Sequence, residues 1–380
     1  MIKILSPLGM EEIGQENSRY AIPTPALLLD LDVLEQNVVT AAQQARQKRI
    51  NLRPHCKSHK SITIAKLQMA AGAIGISCAT LGEAEVMASA DIPGILITSP
   101  IVSSSKIARL VALNQKTDAL MVVVDNVQNV EALAQANQKY RKPLQVLIDV
   151  DIGQERTGVK TLEEAITLIE AIDVTSSLEL VGLQAYGGHF QHIADYSERQ
   201  KMIRAQNDTI KKVANHIQPY VASQLIITGG GTGTFDIDLK EQVYTELQIG
   251  SYIFMDVQYG EVELTEESPN PYFSSLFVLS TVVSTCPSFA IVDAGLKCFA
   301  TDGPKPTLFS GTSALAAYQF MGDEHGKVTI SEKNTELPIG HVVECIIPHC
   351  DPTVNLYDFY HCVRGSTLVD IWPIDARGFH

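Results

Sequence analysis

The segment Arg53-Pro54-His55-Cys56-Lys57-Ser58-His59-Lys60 crowds cations around two lysines. An ammonium held among like charges is pushed toward the neutral amine, a nucleophile able to form a Schiff base with an aldehyde. Spacing leaves Lys57 and Lys60 both open as that amine. A second segment, Thr228-Gly229-Gly230-Gly231-Thr232-Gly233-Thr234, sets three successive glycines between threonines, and Gly250-Ser251-Tyr252 follows it. Glycine puts no Cβ in the way of an approaching anion, and successive amides can converge on it. The alternative is a tight turn chosen only for its backbone. A G-x-G-x-x-G dinucleotide loop is disfavoured, because it would open the first βαβ unit rather than close a late strand. A phosphate cradle and an activated lysine on one face point to pyridoxal 5'-phosphate (PLP).

The third constellation is Pro348-His349-Cys350-Asp351-Pro352-Thr353. On an extended backbone residues i and i+2 share a face, so His349 and Asp351 would chelate one divalent cation with Cys350 turned aside. Imidazole with carboxylate favours Mn2+, Mg2+ or Co2+, and Zn2+ is possible. His192, His216 and His325 read as surface or satisfied core histidines, and His59 and His189 as supporting residues at most.

These residues need elements to hold them. Short apolar, β-branched runs at 51–56, 75–80, 94–100, 119–125, 144–151, 180–188, 224–231 and 246–254 read as strands. Stretches of helical period lie between most of them, at 58–71, 82–90, 104–113, 126–140, 161–172 and 195–216. The last gap, 232–245, is too short and polar to predict a helix. Strands that alternate with helices in this way describe an α/β protein built on a (β/α)8 barrel, whose reacting groups sit where strands end and βα loops begin. The cation-rich segment ends the first strand, Arg156 follows the fifth, Tyr186 ends the sixth, and the glycine run and Gly250-Ser251 end the seventh and eighth. Loops after the last two strands are where such barrels commonly bind phosphate. A lead-in strand (23–30) and helix (31–48) come first. Strands predicted at 277–285, 289–294, 327–330, 341–347 and 367–371, with little helical period, describe a C-terminal all-β domain. The boundaries expected are 20–265 for the barrel and 266–380 for the β-domain, with residues 1–19 joining the latter.

Composition excludes several function classes. Of 380 residues 45% are hydrophobic and 19% charged, enough apolar content for a large core. A formal charge of −14 with no basic run argues against nucleic acid or an anionic membrane as partner. No run approaches the roughly 20 apolar residues of a membrane span. Seven cysteines without a C-x-x-C pair fit reduced thiols in a cytoplasmic protein.

Taken in order, R-P-H-x-K-x-H-K (53–60), A-T-L-G-E-A-E (79–85), R-T-G-V (156–159), Q-A-Y-G-G-H (184–189), the glycine run, G-S-Y (250–252) and P-H-C-D (348–351) resemble the D-threonine aldolase/D-serine dehydratase family. The likeness extends from about residue 23 to 370. It implies a fold-type III PLP enzyme with an alanine-racemase-like barrel, acting on a small amino-acid substrate and expected as a homodimer. It further implies that Lys57 rather than Lys60 carries the cofactor. Tyr186 would bond the pyridine nitrogen and Arg156 would lie near the phenolic oxygen. Gly230, Gly231, Thr232, Gly250 and Ser251 would hold the phosphate, and His349 a divalent metal. D-serine dehydratases of this family tend to present His-x-Cys, D-threonine aldolases His-x-Asp; the chain has the latter spacing, with Asp351 as second ligand. The reaction expected is dehydration of D-3-hydroxyamino acids, foremost D-threo-3-hydroxyaspartate to oxaloacetate and ammonia. The alternatives are aldol cleavage to glycine and an aldehyde, or dehydration of D-serine. A second substrate carboxylate would need a cation, for which Arg53, Lys60, Lys297 and Arg364 are candidates.

Overall fold

The computed structural model of the chain describes residues 9–266, 269–309, 317–329 and 337–379. The end of the strand expected at 327–330 and residues 1–8 of the N-terminal segment lie outside them.

The first strand, β1 (Ala26–Asp30), leads into helix α1 (Leu31–Lys48), where Asp30 caps the free Val33 amide at 3.3 Å. Leu31, Leu34, Val38, Ala41 and Ala45 form the buried stripe of this helix, at the three- and four-residue spacing of a single face. Eight strands follow: β2 (Asn51–Leu52), β3 (Ser77–Cys78), β4 (Leu96–Ile97), β5 (Met121–Val124), β6 (Leu144–Asp149), β7 (Leu178–Ala185), β8 (Ile226–Gly229) and β9 (Glu246–Leu247). They are parallel and hydrogen-bonded in the order β2-β9-β8-β7-β6-β5-β4-β3. A bridge between His55 and Ser77, with the Ser77 amide donating to Pro54 O at 2.8 Å, closes the circle. The barrel is therefore sealed at the segment that carries Lys57.

Helices α2 (Ile62–Ala70), α3 (Leu81–Ser89), α4 (Ser104–Asn114), α5 (Val127–Asn137), α6 (Leu162–Asp173) and α7 (Tyr196–Ile217) fill the predicted gaps. Capping boxes start two of them, Thr80 with Glu83 and Thr161 with Glu164. The gap read as non-helical holds α8 (Phe235–Glu241). Its polar sequence hides a buried face of Phe235, Ile237, Asp238 and Leu239, and tertiary packing outweighs the weak local signal.

The second sheet contains β10 (Leu276–Cys286), β11 (Phe289–Val292), β12 (Thr307–Leu308), β13 (Ala317–Phe320), β14 (Gly326–Thr329), β15 (Val342–Ile346), β16 (Phe359–Arg364) and β17 (Thr367–Pro373). Its main path runs β13-β14-β11-β10-β1-β16-β17, so β1 sits at its centre, antiparallel to β10 and parallel to β16. A boundary at residue 20 puts β1 with the barrel; its hydrogen bonds put it in the β-sheet, and α1 is the element that crosses over. Strand β16 is not among the strands expected from the sequence, because its interior is buried throughout and shows no two-residue alternation. One apolar cluster contains both Leu27, Leu29 and Tyr360 of this sheet and Ile64, Ile249 and Phe254 around the barrel mouth, so the two sheets share a core. Among the described residues no helix is long and apolar enough to cross a membrane.

Candidate active site

Lys57 lies in the short 3-10 turn Cys56–Ser58 just beyond β2, with His55 as cap; the Lys57 amide donates to His55 Nδ1 at 3.3 Å. Its ammonium is ion-paired with Asp351, and 39% of the side chain is exposed. Lys60 is differently placed: it is buried and ion-paired with the fully enclosed Glu83. Arg53 is likewise buried and bonds both oxygens of Glu246, at 2.7 and 2.8 Å. Lys57 is thus the lysine of this segment that faces the barrel mouth. The expected crowding of cations does not hold, because each has its own carboxylate. Burial alone would lower the Lys57 pKa, but Asp351 and then Tyr186 outweigh it and hold the pKa above the usual lysine value.

The four cations considered for a second substrate carboxylate already face carboxylates of the chain itself. Arg53 meets Glu246, Lys60 meets Glu83, Lys297 meets Glu324, and Arg364 meets Asp32 and Glu35.

Around Lys57 the imidazoles of His55, His59 and His192 are held neutral. Burial, then the Lys57 charge, push His55 well below the usual histidine pKa, and its Nε2 bonds Thr98 Oγ1 at 3.1 Å. His59 is fully buried and its pKa falls to about 3. His192 is exposed, in keeping with the surface position the sequence gave it; partial burial first, and then the His349 and Lys57 charges, lower its pKa, against the pull of Asp351. Its ring packs against Tyr259 with centroids 4.8 Å apart. Arg156 lies over the Tyr186 ring at 5.3 Å, and its charge reaches His55. Lys57, Tyr186, Arg156, His55 and His192 therefore share one opening.

The glycine run forms the next part of this rim. Gly230 has φ +66°, the left-handed region, and a Cβ there would lie 2.5 Å from Asp238 Oδ2. A Cβ on Gly233 would lie 2.0 Å from the Gln191 carbonyl oxygen. Two of the amides expected to be free are taken internally, Gly231 by Thr234 Oγ1 at 3.0 Å and Gly233 by Gln191 Oε1 at 2.9 Å. The loop is thereby stiffened around Thr232, whose hydroxyl accepts the Tyr252 amide at 3.0 Å and ties the loop after β8 to the loop after β9. A Cβ on Gly250 would lie 3.4 Å from Ser58 Oγ and 3.5 Å from His55 O, so the second loop abuts the lysine turn. A glycine cradle closed to side chains and adjoining a half-exposed lysine suits the phosphate and aldehyde ends of PLP.

The metal motif departs from the extended backbone assumed for it. His349 is extended, but Cys350–Val354 form a short helix, α10, with His349 as its cap. The chain turns because Asp256 Oδ2 accepts the Cys350 amide at 2.9 Å while Asp256 Oδ1 accepts the Tyr259 amide at 2.9 Å, capping α9 (Val257–Gly260) as well. Cys350 is fully buried, and burial raises its thiol pKa well above the ordinary value, the reverse of a metal thiolate. Burial would raise the Asp351 carboxyl, but Lys57 beside it holds the pKa below the usual range, so it is an anion. Asp351 Oδ2 is paired with Lys57, whereas Asp351 Oδ1 is buried with no hydrogen-bond partner. A buried carboxylate oxygen without a donor is costly, and a cation is a fitting partner for it. His349 and Asp351 are the two candidate ligands; among the described residues no group of three or more His, Cys, Asp or Glu side chains is arranged to hold an ion. A two-ligand site leaves coordination positions for water and substrate, as hard divalent ions accept.

Sequence spacing could not reveal Asp256, which lies 94 residues from Cys350, nor Asp302, which lies 47 residues from His349 and bonds its Nδ1 at 2.9 Å. No local pattern marks either, because each acts on an element distant in the chain.

An alanine racemase N-terminal domain model matches residues 29–258, and a serine dehydratase domain model matches residues 275–363. The chain belongs to this family of fold-type III PLP proteins. It is 37% identical to a D-threonine aldolase of an Arthrobacter species over 359 residues, covering 94% of this chain and 93% of that one. It is 33% identical to a 3-hydroxy-D-aspartate aldolase of Paracoccus denitrificans over 362 residues, covering 94% and 92%. A D-threonine aldolase structure from Filomicrobium marinum superposes with TM-score 0.88 at 35% identity, covering 95% of this chain and 96% of that one. The D-threo-3-hydroxyaspartate dehydratase of Delftia sp. HT23, 23% identical in the structural match, shares the fold with TM-score 0.83 over 93% and 98%.

Proposed function

We propose that this chain is a PLP-dependent lyase of D-3-hydroxy-α-amino acids that breaks the Cα–Cβ bond, giving glycine and an aldehyde. The reading is carried by the shared carboxylate: Asp351 bonds Lys57 Nζ with one oxygen and keeps the other buried and partnerless beside His349. The amine that would bear the cofactor and the ligands of a divalent ion therefore stand next to each other. Similarity to aldolases at 33% and 37% identity over nearly the whole chain favours cleavage.

Lys57 would hold PLP, and Gly230, Gly231, Thr232, Gly250 and Ser251 would hold its phosphate. Tyr186 would bond its ring nitrogen and Arg156 would lie near its phenolic oxygen. His349 and Asp351 would hold the divalent ion. When bound, PLP supplies an electron sink for the pair left on Cα, and the ion polarises the 3-hydroxyl as a Lewis acid. His192, neutral and facing the same opening, accepts the proton from the 3-hydroxyl oxygen. The Cα–Cβ bond then breaks to leave the carbonyl of the aldehyde, and a proton is returned at Cα to complete glycine.

Dehydration, with D-threo-3-hydroxyaspartate giving oxaloacetate and ammonia, is the second reading, supported by 25% identity over 292 residues to a D-threo-3-hydroxyaspartate dehydratase of Delftia sp.. There Lys57 Nζ takes the Cα proton and hydroxide leaves Cβ. The two readings part at the products. Purified protein given D-threonine, D-3-hydroxyaspartate and D-serine, with and without chelator, should release glycine and an aldehyde from the first two and no ammonia. Ammonia and a keto acid in place of glycine would overturn cleavage in favour of dehydration. A homodimer is part of the proposal, and sedimentation of the holoenzyme as a monomer would remove it.

A further inference from the structure

We infer that Asp302 is a positioning residue for the metal site: its carboxylate fixes the His349 imidazole through Nδ1 so that Nε2 is presented to the cation beside Asp351. The inference rests on the reading of His349 and Asp351 as metal ligands. Asp302 Oδ2 lies 2.9 Å from His349 Nδ1. A carboxylate is an acceptor, so Nδ1 is the donor in this contact, and the Nε2 lone pair of the neutral ring is left for a metal. A carboxylate behind a ligating histidine also makes the ring a better donor to the metal.

The surrounding structure leaves ring orientation as the one freedom for Asp302 to remove. The backbone on both sides of His349 is clamped. The Val257 amide bonds Ile347 O at 3.0 Å, the Gln258 amide bonds Pro348 O at 3.3 Å, and Asp256 takes the Cys350 amide at 2.9 Å. Asp302 itself stands on a loop tied to the metal-motif helix, because the Ala300 amide donates to Thr353 Oγ1 at 3.0 Å. The loop also approaches the 256–258 segment closely: a Cβ on Gly303 would lie 2.3 Å from Gln258 Nε2. Both partners of the Asp302–His349 contact are therefore held by the same few residues. The Asp302 side chain is 54% exposed, so its removal should leave the fold intact.

The test is binding of Mn2+ to PLP-loaded, chelator-stripped protein, followed by the electron paramagnetic resonance signal of the free ion. Asp302→Ala should weaken binding about 10–100-fold, the range for loss of such a supporting carboxylate. Asp302→Asn, whose amide oxygen still accepts from Nδ1, should stay within a few-fold of wild type. Unchanged affinity in Asp302→Ala would refute the positioning role, provided His349→Ala loses binding in the same assay. Loss in both Asp302 variants as severe as in His349→Ala would make Asp302 a direct ligand and equally overturn the inference. If His349→Ala itself binds Mn2+ like wild type, the metal reading of the site falls, and the inference with it.

Discussion

Acid should loosen the lysine segment through His59, whose ring is 0% exposed and whose pKa falls to about 3 from the reference 6.5. Burial is the main cause, with Gln68 and Ser61 pulling the other way. His59 Nδ1 accepts the Ser61 amide at 3.1 Å, and its carbonyl accepts the Tyr360 hydroxyl at 2.6 Å. The folded protein therefore keeps this ring neutral while the unfolded chain protonates it. Stability from this group is present above pH 6.5 and is lost as pH falls from there toward about 3. Each unit of separation is worth about 1.4 kcal/mol, so the full difference of roughly 3.5 units amounts to about 5 kcal/mol. From about pH 7.5 to about pH 5 the unfolded ring takes up nearly one proton, which costs the fold about 2 kcal/mol. The perturbation is His59→Asn, whose amide oxygen can replace Nδ1 as acceptor for Ser61 but cannot titrate. Lost packing should cost this variant about 0.5–3 kcal/mol at every pH. Its urea midpoint, followed by far-UV circular dichroism, should nevertheless fall less than that of wild type between the two pH values, by the equivalent of about 2 kcal/mol. His55 and every other titrating group are common to both proteins and cancel. Parallel pH dependences would refute the claim that a neutral His59 underlies acid lability.

Borohydride reduction of PLP-loaded protein should label Lys57 in peptide mapping, and Lys57→Ala should take no label; a label on Lys60 would contradict the buried pairing of Lys60 with Glu83. Chelation, or Asp351→Ala, should abolish turnover while the visible cofactor band persists, and Mn2+ should restore only the chelated wild type. Glu246→Gln leaves the buried Arg53 guanidinium without its counter-charge and should destabilise the protein by about 3–5 kcal/mol, read from the urea midpoint.

The barrel was legible because its periods are local: apolar β-branched runs make strands, and the three- and four-residue spacing between them makes helices. The strand-end rule then gathered Lys57, Arg156, Tyr186, Thr232 and Ser251 on one rim without reference to any contact. What failed was decided by partners far away in the chain. The strand 359–364 has no alternation because both its faces are covered, and helix 235–241 exists because the barrel buries Phe235, Ile237 and Leu239. Strand 26–30 looks like a barrel lead-in, yet its backbone pairs with 276–279 and 361–363.

Residue types and their order determined which chemistry this chain can attempt: an amine, an anion cradle, and an imidazole–carboxylate pair. Tertiary structure alone decided the state of each group. Cations adjacent in sequence are separated in space by Glu246, Glu83 and Asp351, so Lys57 is held charged rather than depressed. The metal motif is bent into a helix by Asp256, and His349 is oriented by Asp302. Charge state and orientation depend on what lies within a few ångströms, and for these residues that neighbourhood is assembled only when barrel and β-sheet share one core.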